Sequence, residues 1–397
     1  MRNIHEDYAS VQKEYFDSHG WNLKTCPKCN SAYFSKKALN TCGSYECEKD
    51  YTFLKLGARR EFFELEECYK TSIDFFRSKG YEVARPIDIV RKGERTLFAS
   101  VAGQVFDDAI YKGQHVSSSN IACIQPVIRL QGESLVGKIE GYSTSFLNLS
   151  TDRWNGTPEQ HLEAFDGWLD FLSAQGLYAG NTSLKYHYED NDWGTFHVHS
   201  EALRFNYGGL ELGIANFFTD IPQPSGRIAT MSDISFGLER LVWAVNKSES
   251  YFDAIGPLIY VLYNPDKIML MDSIRTMTLM AASGVAPAHY DHGSKFRLLA
   301  KKVAKSFGLA PYKELSEYYY NQWSKFINFK YDYNVCEDMI MQEIERNLNV
   351  ELAQALGFKW ISNDVPENYL HSLLKKRKIR LSELREKIRK IKDGNVV

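Results

Sequence analysis

The sequence predicts an α+β protein: an antiparallel sheet flanked by helices, with a small N-terminal metal-binding segment before it and a helical domain after it. Three observations carry this. Four of the seven cysteines sit in two close pairs between residues 26 and 47. From about 81 to 240, short β-rich stretches alternate with Gly, Asn and Asp, as in sheets whose helices are segregated. After Pro257 the pattern turns helical. With 397 residues the chain suits two or three domains, and the boundaries fall at 1–58, 59–257 and 258–397.

Residues 1–20 read as a helix, with Tyr8, Val11, Tyr15 and Phe16 at helical spacing and Gly20 closing it. Residues 59–79 read as a second, amphipathic helix that carries Phe62, Phe63, Leu65, Ile73 and Phe76, with Gly80 as its C-cap. Strands are expected at Ile121–Leu130, Ser145–Leu149, Leu184–Tyr188 and Gly209–Phe218. Thr157-Pro158-Glu159 opens a helix over 158–175, because Thr caps and Pro fits the first turn. Helices follow at roughly 264–284, 291–307, 312–325 and 335–355. The stretch 367–392 reads as a basic helix pair, with Lys375, Lys376, Arg377, Lys378, Arg380, Arg385, Lys387, Arg389, Lys390 and Lys392 against Glu383 and Glu386.

Net charge is -2, so no global field draws the chain to nucleic acid or membrane, and any basic surface is local. No apolar run approaches the ~20 residues that span a bilayer. The polar N-terminus is unlike a signal peptide. An odd number of cysteines, four of them clustered, favours a reducing compartment, and the cytoplasm is the expectation.

Cys26-Pro-Lys-Cys29 and Cys42-Gly-Ser-Tyr-Glu-Cys47 can bring four thiolates around one Zn²⁺. With every ligand position filled by protein, such a site is structural, and metal binding would fold a segment too small to hold itself together. Cys68, Cys123 and Cys336 lie at apolar positions and read as core.

Three further stretches carry chemistry. Phe75–Pro86 runs from a helix through Gly80 into a strand. Ile121–Leu130 is a strand presenting Arg129, and it continues through a polar loop to Thr144-Ser145-Phe146. In Asp233-Ile-Ser-Phe-Gly-Leu-Glu-Arg240-Leu, a glycine leads from a strand into a helix. In this order they resemble motifs 1, 2 and 3 of class II aminoacyl-tRNA synthetases. The likeness is nearest to the catalytic and tRNA-recognition portion of archaeal-type alanyl-tRNA synthetases (alanine--tRNA ligases), and it runs from about residue 8 to 380.

The resemblance implies the class II antiparallel sheet and amino-acid activation, in which a carboxylate attacks the α-phosphate of ATP. Two anions must meet, so fixed positive charge and positioning are the main needs. Arginine meets them with a planar fork that never loses its charge. The family likeness assigns Arg129 to the α-phosphate and the reacting carboxylate, Arg240 to the outer phosphates and Phe146 to adenine. It gives Glu211 to Mg²⁺, Asp233 to the substrate ammonium, and Trp193 to the wall of the side-chain pocket.

The sequence also departs from the family. An Arg-His pair expected after Arg129 reads Gly141-Tyr142, and Arg153 or Lys138 could substitute. Phe-Glu-Met reads Phe146-Leu147-Asn148, and a Thr or Asn expected near the amino acid reads Ile214. Asp272-Ser-Ile-Arg275 and Gly284–His289 resemble the family's tRNA-recognition helices. Yet the residues expected to read the acceptor-stem G·U pair are His289 and Ile361, and Ile361 cannot accept base-edge hydrogen bonds. The chain ends at Val397, before any editing or C-terminal domain of the family.

Together these point to a ligase for an aminoacyl-adenylate and tRNA, with alanine as substrate by resemblance, as a specialised editing-free relative. ATP, Mg²⁺ and structural Zn²⁺ are the expected cofactors, and the basic C-terminal helices offer an RNA backbone contact. Two alternatives stand beside this: delivery of the acyl group to a small molecule or carrier protein, and a non-catalytic RNA-binding relative. Retention of Arg129, Asp233 and Arg240 together opposes the last.

Overall fold

The computed structural model describes residues 4–57, 61–256, 265–305 and 312–355. The chain forms two compact units, Met1–Val127 with Phe146–Ile255, and Ile128–Ser145 with Gly256–Val397.

The first unit is built on one nine-stranded sheet. Its strands are β1 (Asn22–Thr25), β2 (Ala32–Ser35), β3 (Glu82–Val83), β4 (Asn120–Ile128), β5 (Ser145–Trp154), β6 (Thr182–Asp192), β7 (His197–Tyr207), β8 (Leu210–Pro222) and β9 (Ile228–Gly237). They lie in the order β1-β2-β6-β7-β8-β9-β5-β4-β3. The β3–β4 pair is parallel and the other pairings described are antiparallel. The α+β class expected from the sequence is therefore what is found. The N-terminal segment contributes β1 and β2 to the edge of this sheet.

The unit's helices are α1 (Ile4–Ser18), α2 (Tyr45–Glu48), α3 (Leu65–Ser78), α4 (Asp107–Lys112), α5 (Pro158–Ala174) and α6 (Leu238–Asn246). Thr157 caps α5 in a reciprocal box with Gln160, as the Thr-Pro pair predicts. The helix expected over 59–79 begins only at Leu65. The reason lies at Phe63, whose N–H and C=O are both taken by the Asn246 amide, at 2.7 and 2.9 Å. A residue so engaged cannot join a helical ladder. Residues 58–60 fall outside the described residues.

Strand alternation gives the sheet two unlike faces. One is covered by α1 and α5. Trp168 stacks on Phe236 at 4.2 Å and donates to Thr151 Oγ1 at 2.7 Å, Phe165 meets Phe205, and Tyr8 meets Phe217. His161 is fully buried in this layer, with Nδ1 2.7 Å from Ser232 Oγ and no hydrogen-bond partner for Nε2. Burial pushes its pKa from 6.5 down to about 3. A depressed histidine stabilises the fold above about pH 6.5, and that contribution is lost as pH falls toward the folded value, at about 1.4 kcal/mol per unit. Replacing His161 with Gln should therefore flatten the fall in Tm between about pH 6.5 and pH 5. Parallel slopes for wild type and variant would exclude this cause.

The second unit comprises the segment 128–145 and four helices: α7 (Pro265–Ala282), α8 (Asp291–Lys305), α9 (Tyr312–Trp323) and α10 (Tyr333–Ala355). These match the four helices expected from periodicity. α7 carries an internal polar spine. Asp272 accepts from the Thr144 N–H at 2.8 Å and from its hydroxyl at 2.6 Å, and Arg275 is fully buried, stacked on Trp323 at 4.2 Å, and donates to Ser145 O. Burial pushes the Asp272 carboxyl up to about 6, against those two hydrogen bonds. The Asp272–Arg275 motif thus pins the segment 128–145 to α7.

Candidate functional site

The other face of the sheet is polar and yet closed to solvent. β5 contributes Asn148, Ser150 and Asp152; β9 contributes Asp233 and Ser235; β8 adds Asn216 and β7 Ser200, all less than 9 % exposed. The register makes Asp152 the neighbour of Asp233, and Asp233 that of Asn216. Phe146 shares this face by alternation along β5. A buried polar floor is costly without partners, and most members have them. Ser200 Oγ donates to Asn216 Oδ1 at 3.3 Å, and Asn148 Oδ1 accepts from the Ala102 N–H at 2.8 Å.

That last bond holds a short 3₁₀ turn, Ala102–Phe106, against the floor. Glycine at 103 lets the turn lie close over the pair: a Cβ there would sit a tight 3.1 Å from Asp152 Oδ1 and in ordinary contact, 3.8 Å, with Asp233 Oδ2. Ser150 Oγ lies 2.6 Å from Asp152 Oδ2 and 3.2 Å from Asp233 Oδ1. Burial first, and the charge of Asp233 second, push the Asp152 carboxyl well above the ordinary range. Asp152, Ser150 and Asn216 were missed in reading the sequence. On β5 their signal was a polar residue at every second position, Asn148, Ser150 and Asp152, whereas Asn216 stands alone among apolar neighbours on β8.

Arg240 lies on α6, in the first turns after Gly237, and donates to Glu211 O at 2.8 Å. The Glu211 carboxylate pairs with Arg204 at 3.2 Å, and Arg204 also holds Glu189 at 2.8 Å. Glu239, fully buried, receives the Leu147 N–H at 3.0 Å and so ties α6 to β5. Trp193 occupies the β6–β7 turn, half-buried against Phe218 at 5.1 Å, in a cluster with Phe106, Trp154 and Val198. Asp233, Arg240, Glu211, Trp193 and Phe146 all belong to the first unit.

Arg129 belongs to the second, where its N–H donates to Thr144 O at 2.9 Å. Gly141 has φ +82, a left-handed conformation that disfavours a side chain. His289 is exposed and bonded to Arg297 at 2.8 Å. Ile361 and the basic stretch 367–392 lie outside the described residues.

The cysteine segment forms a second centre. The sulfurs of Cys26, Cys29, Cys42 and Cys47 all lie within 4.8 Å of one another. Cys26 and Cys47 are 3.8 Å apart, and Cys29 and Cys42 3.7 Å. A thiolate tetrahedron with metal–sulfur bonds of ~2.3 Å has edges of about 3.8 Å, whereas a disulfide needs about 2.05 Å. Burial pushes Cys42 and Cys47 up, Cys47 to about 12; in Cys29 burial is outweighed by hydrogen bonds from Ser31, which bring the thiol to about 6. Four thiolates at this spacing need a cation between them, so the donor set fits a metal ion. The segment is wired to the sheet through Cys42 O, which accepts from Ser183 Oγ at 2.6 Å and Asn206 Nδ2 at 3.3 Å.

No family model matches the chain. It is similar to the Alanine--tRNA ligase of Methanococcoides burtonii, at 25% identity over 62% of this chain and 28% of the relative. The Thermoplasma acidophilum ligase is 28% identical over 63% of this chain and 30% of its own length. The Metallosphaera sedula ligase is 24% identical over 80% of this chain and 35% of its own. The chain thus spans about a third of the length of these curated relatives. Among solved structures, Pyrrolysyl-tRNA synthetase from Desulfitobacterium hafniense is similar over 49% of this chain and 74% of its own, at 12% identity and a TM-score of 0.34, too distant for any detail to transfer. By its sequence, this chain resembles the archaeal alanine--tRNA ligases.

Proposed function

We propose that the chain activates a small amino acid, alanine by resemblance, with ATP and passes it to a tRNA 3′ end. The similarity to alanine--tRNA ligases carries this reading, and the buried polar floor around Asp233 is the surface such chemistry needs. In it, Asp233 receives the substrate ammonium and Trp193 limits the side-chain pocket. Arg129 holds the α-phosphate beside the attacking carboxylate, Arg240 holds the outer phosphates, and Phe146 stacks on adenine. Mg²⁺ would neutralise phosphate charge, with Glu211 its ligand once freed from Arg204. The cysteine cluster holds structural Zn²⁺. Thiolate ligation suits a reducing compartment such as the cytoplasm, and among the described residues no helix is long and apolar enough to cross a membrane.

A second reading keeps adenylation but gives the acyl group to a small molecule or carrier protein. His289 favours it, standing where the family's resemblance calls for a base-reading asparagine and already bonded to Arg297. The test is amino-acid-dependent ATP–pyrophosphate exchange without tRNA, across alanine, glycine, serine and less common amino acids. Exchange with alanine is expected. No exchange with any amino acid from a protein that binds ATP would overturn the activation reading. Transfer to tRNA in a second assay separates the two acceptors.

A further inference from the structure

The amino-acid subsite proposed above uses one carboxylate, but the floor holds two. Asp152 is fully buried, directly opposite Asp233 in the register, and its Oδ1 has no hydrogen-bond partner. The geometry constrains the protons. Ser150 Oγ lies within hydrogen-bond distance of an oxygen from each carboxyl, at 2.6 and 3.2 Å, and a hydroxyl has one hydrogen to give. Both contacts are satisfied only if one carboxyl carries a hydrogen and donates it to Ser150. Two ionised carboxylates buried side by side would also repel.

We infer that Asp152 is a positioning residue for the amino-acid subsite, sharing one proton with Asp233 through Ser150 so that Asp233 meets the substrate ammonium as a fixed, singly charged partner. This rests on the reading of Asp233 as the ammonium contact. Asp233, at 7 % exposure, can reach a ligand, whereas Asp152 lies beneath the 102–106 turn and acts only through it. The titratable groups that sense Asp152 are few. Asp233 comes from β9 and the Cys123 thiol, itself pushed up mainly by burial, from β4; Tyr81 adds a minor influence, and the covering turn offers only Gly103. Two carboxyls side by side in a buried site are eased by a shared proton, and the substrate ammonium is the natural second counter-charge.

The test uses the full chain with Asp152→Ala and Asp152→Asn. In pyrophosphate exchange, the alanine substitution should raise KM for the amino acid at least about tenfold, the cost of a lost hydrogen bond to a charged group, with KM for ATP unchanged. The asparagine amide can still donate, so Asp152→Asn should restore KM to within a few-fold of wild type. Unchanged KM in Asp152→Ala, or equal loss in both variants, would overturn the proposal. Infrared spectroscopy at neutral pH reads the proton without any activity. A carbonyl stretch of protonated carboxyl should be present in wild type and absent from Asp152→Asn, and its absence from wild type would also overturn the proposal. Wild type silent in exchange but positive in the infrared would reject the activation reading while retaining the shared proton. Loss of exchange in Asp233→Asn separates the role of Asp233 from that of Asp152.

Discussion

Replacing Arg240 with Ala is expected to slow amino-acid-dependent pyrophosphate exchange by about 10²–10³-fold, the range seen when one preorganised transition-state donor is removed. Adenylation brings a carboxylate against a polyphosphate, so the barrier is dominated by like charge, and a fixed cation lowers it more than any neutral contact could. Arg240 is suited to this because α6 starts directly after β9, which anchors its backbone, and the Glu211 carbonyl at 2.8 Å directs its guanidinium. A guanidinium carries five N–H groups in a planar fork, the geometry that suits phosphate oxygens. Arg240→Lys should recover only part of the rate, since an ammonium cannot bind two oxygens in one plane. Amino-acid KM should change little in both variants, because Asp233 is untouched. Exchange within a few-fold of wild type in Arg240→Ala would remove the residue from the chemistry.

The helices were the most legible part of the sequence, and the reason is physical. Helices α5 and α7–α10 each bury one stripe or are bounded by caps and breakers, so their period survives in the residues. The sheet was less legible. β7 was missed because its apolar residues change face partway, from Val198 and Ala202 to Leu203, Phe205 and Tyr207, so no single alternation runs the length of His197–Tyr207. β6 was read as Leu184–Tyr188 because its far half, to Asp192, is an exposed polar hairpin arm. β1 and β2 are four-residue strands placed by long-range pairing, β1 on β2 and β2 on β6, which local propensity does not record. The site shows the same division. Arg240 and Asp233 were singled out by the resemblance of the stretch around Gly237 to motif 3, not by local pattern alone. Asp152, Ser150 and Asn216 were not, because each alone reads as a polar residue in a strand, and only the register aligns them. Asn148 and Gly103 explain one departure from the family: the asparagine holds the turn that the glycine lets close over Asp152.

Protein purified without chelators should contain one zinc per chain, and Cys42→Ser should lose it, together with much of the stability of the sheet edge. A metal held by the four sulfurs would be the main internal support of residues 22–47, whose two strands are too short to persist alone. Structural zinc contributes folding free energy on the order of several kcal/mol even after discounting for residual structure. At about 2–4 °C per kcal/mol for a unit of this size, Tm should fall by roughly 10 °C. The loss should spread beyond the loop, because Cys42 O binds Ser183 of β6 and Asn206 of β7, and Gly43 O accepts the Gly209 N–H at 3.1 Å. Hydrogen exchange should therefore speed up first in β1 and β2 and next at the β7–β8 turn, leaving β5 and β9 protected. Cys68→Ser is the control: Cys68 is a buried residue of α3, hydrogen-bonded by its own carbonyl to Ser72, and should leave the zinc content at one per chain. Full zinc in Cys42→Ser would break the assignment of the cluster. A faster exchange confined to residues 26–47 would keep the metal but deny that it braces the β7–β8 turn.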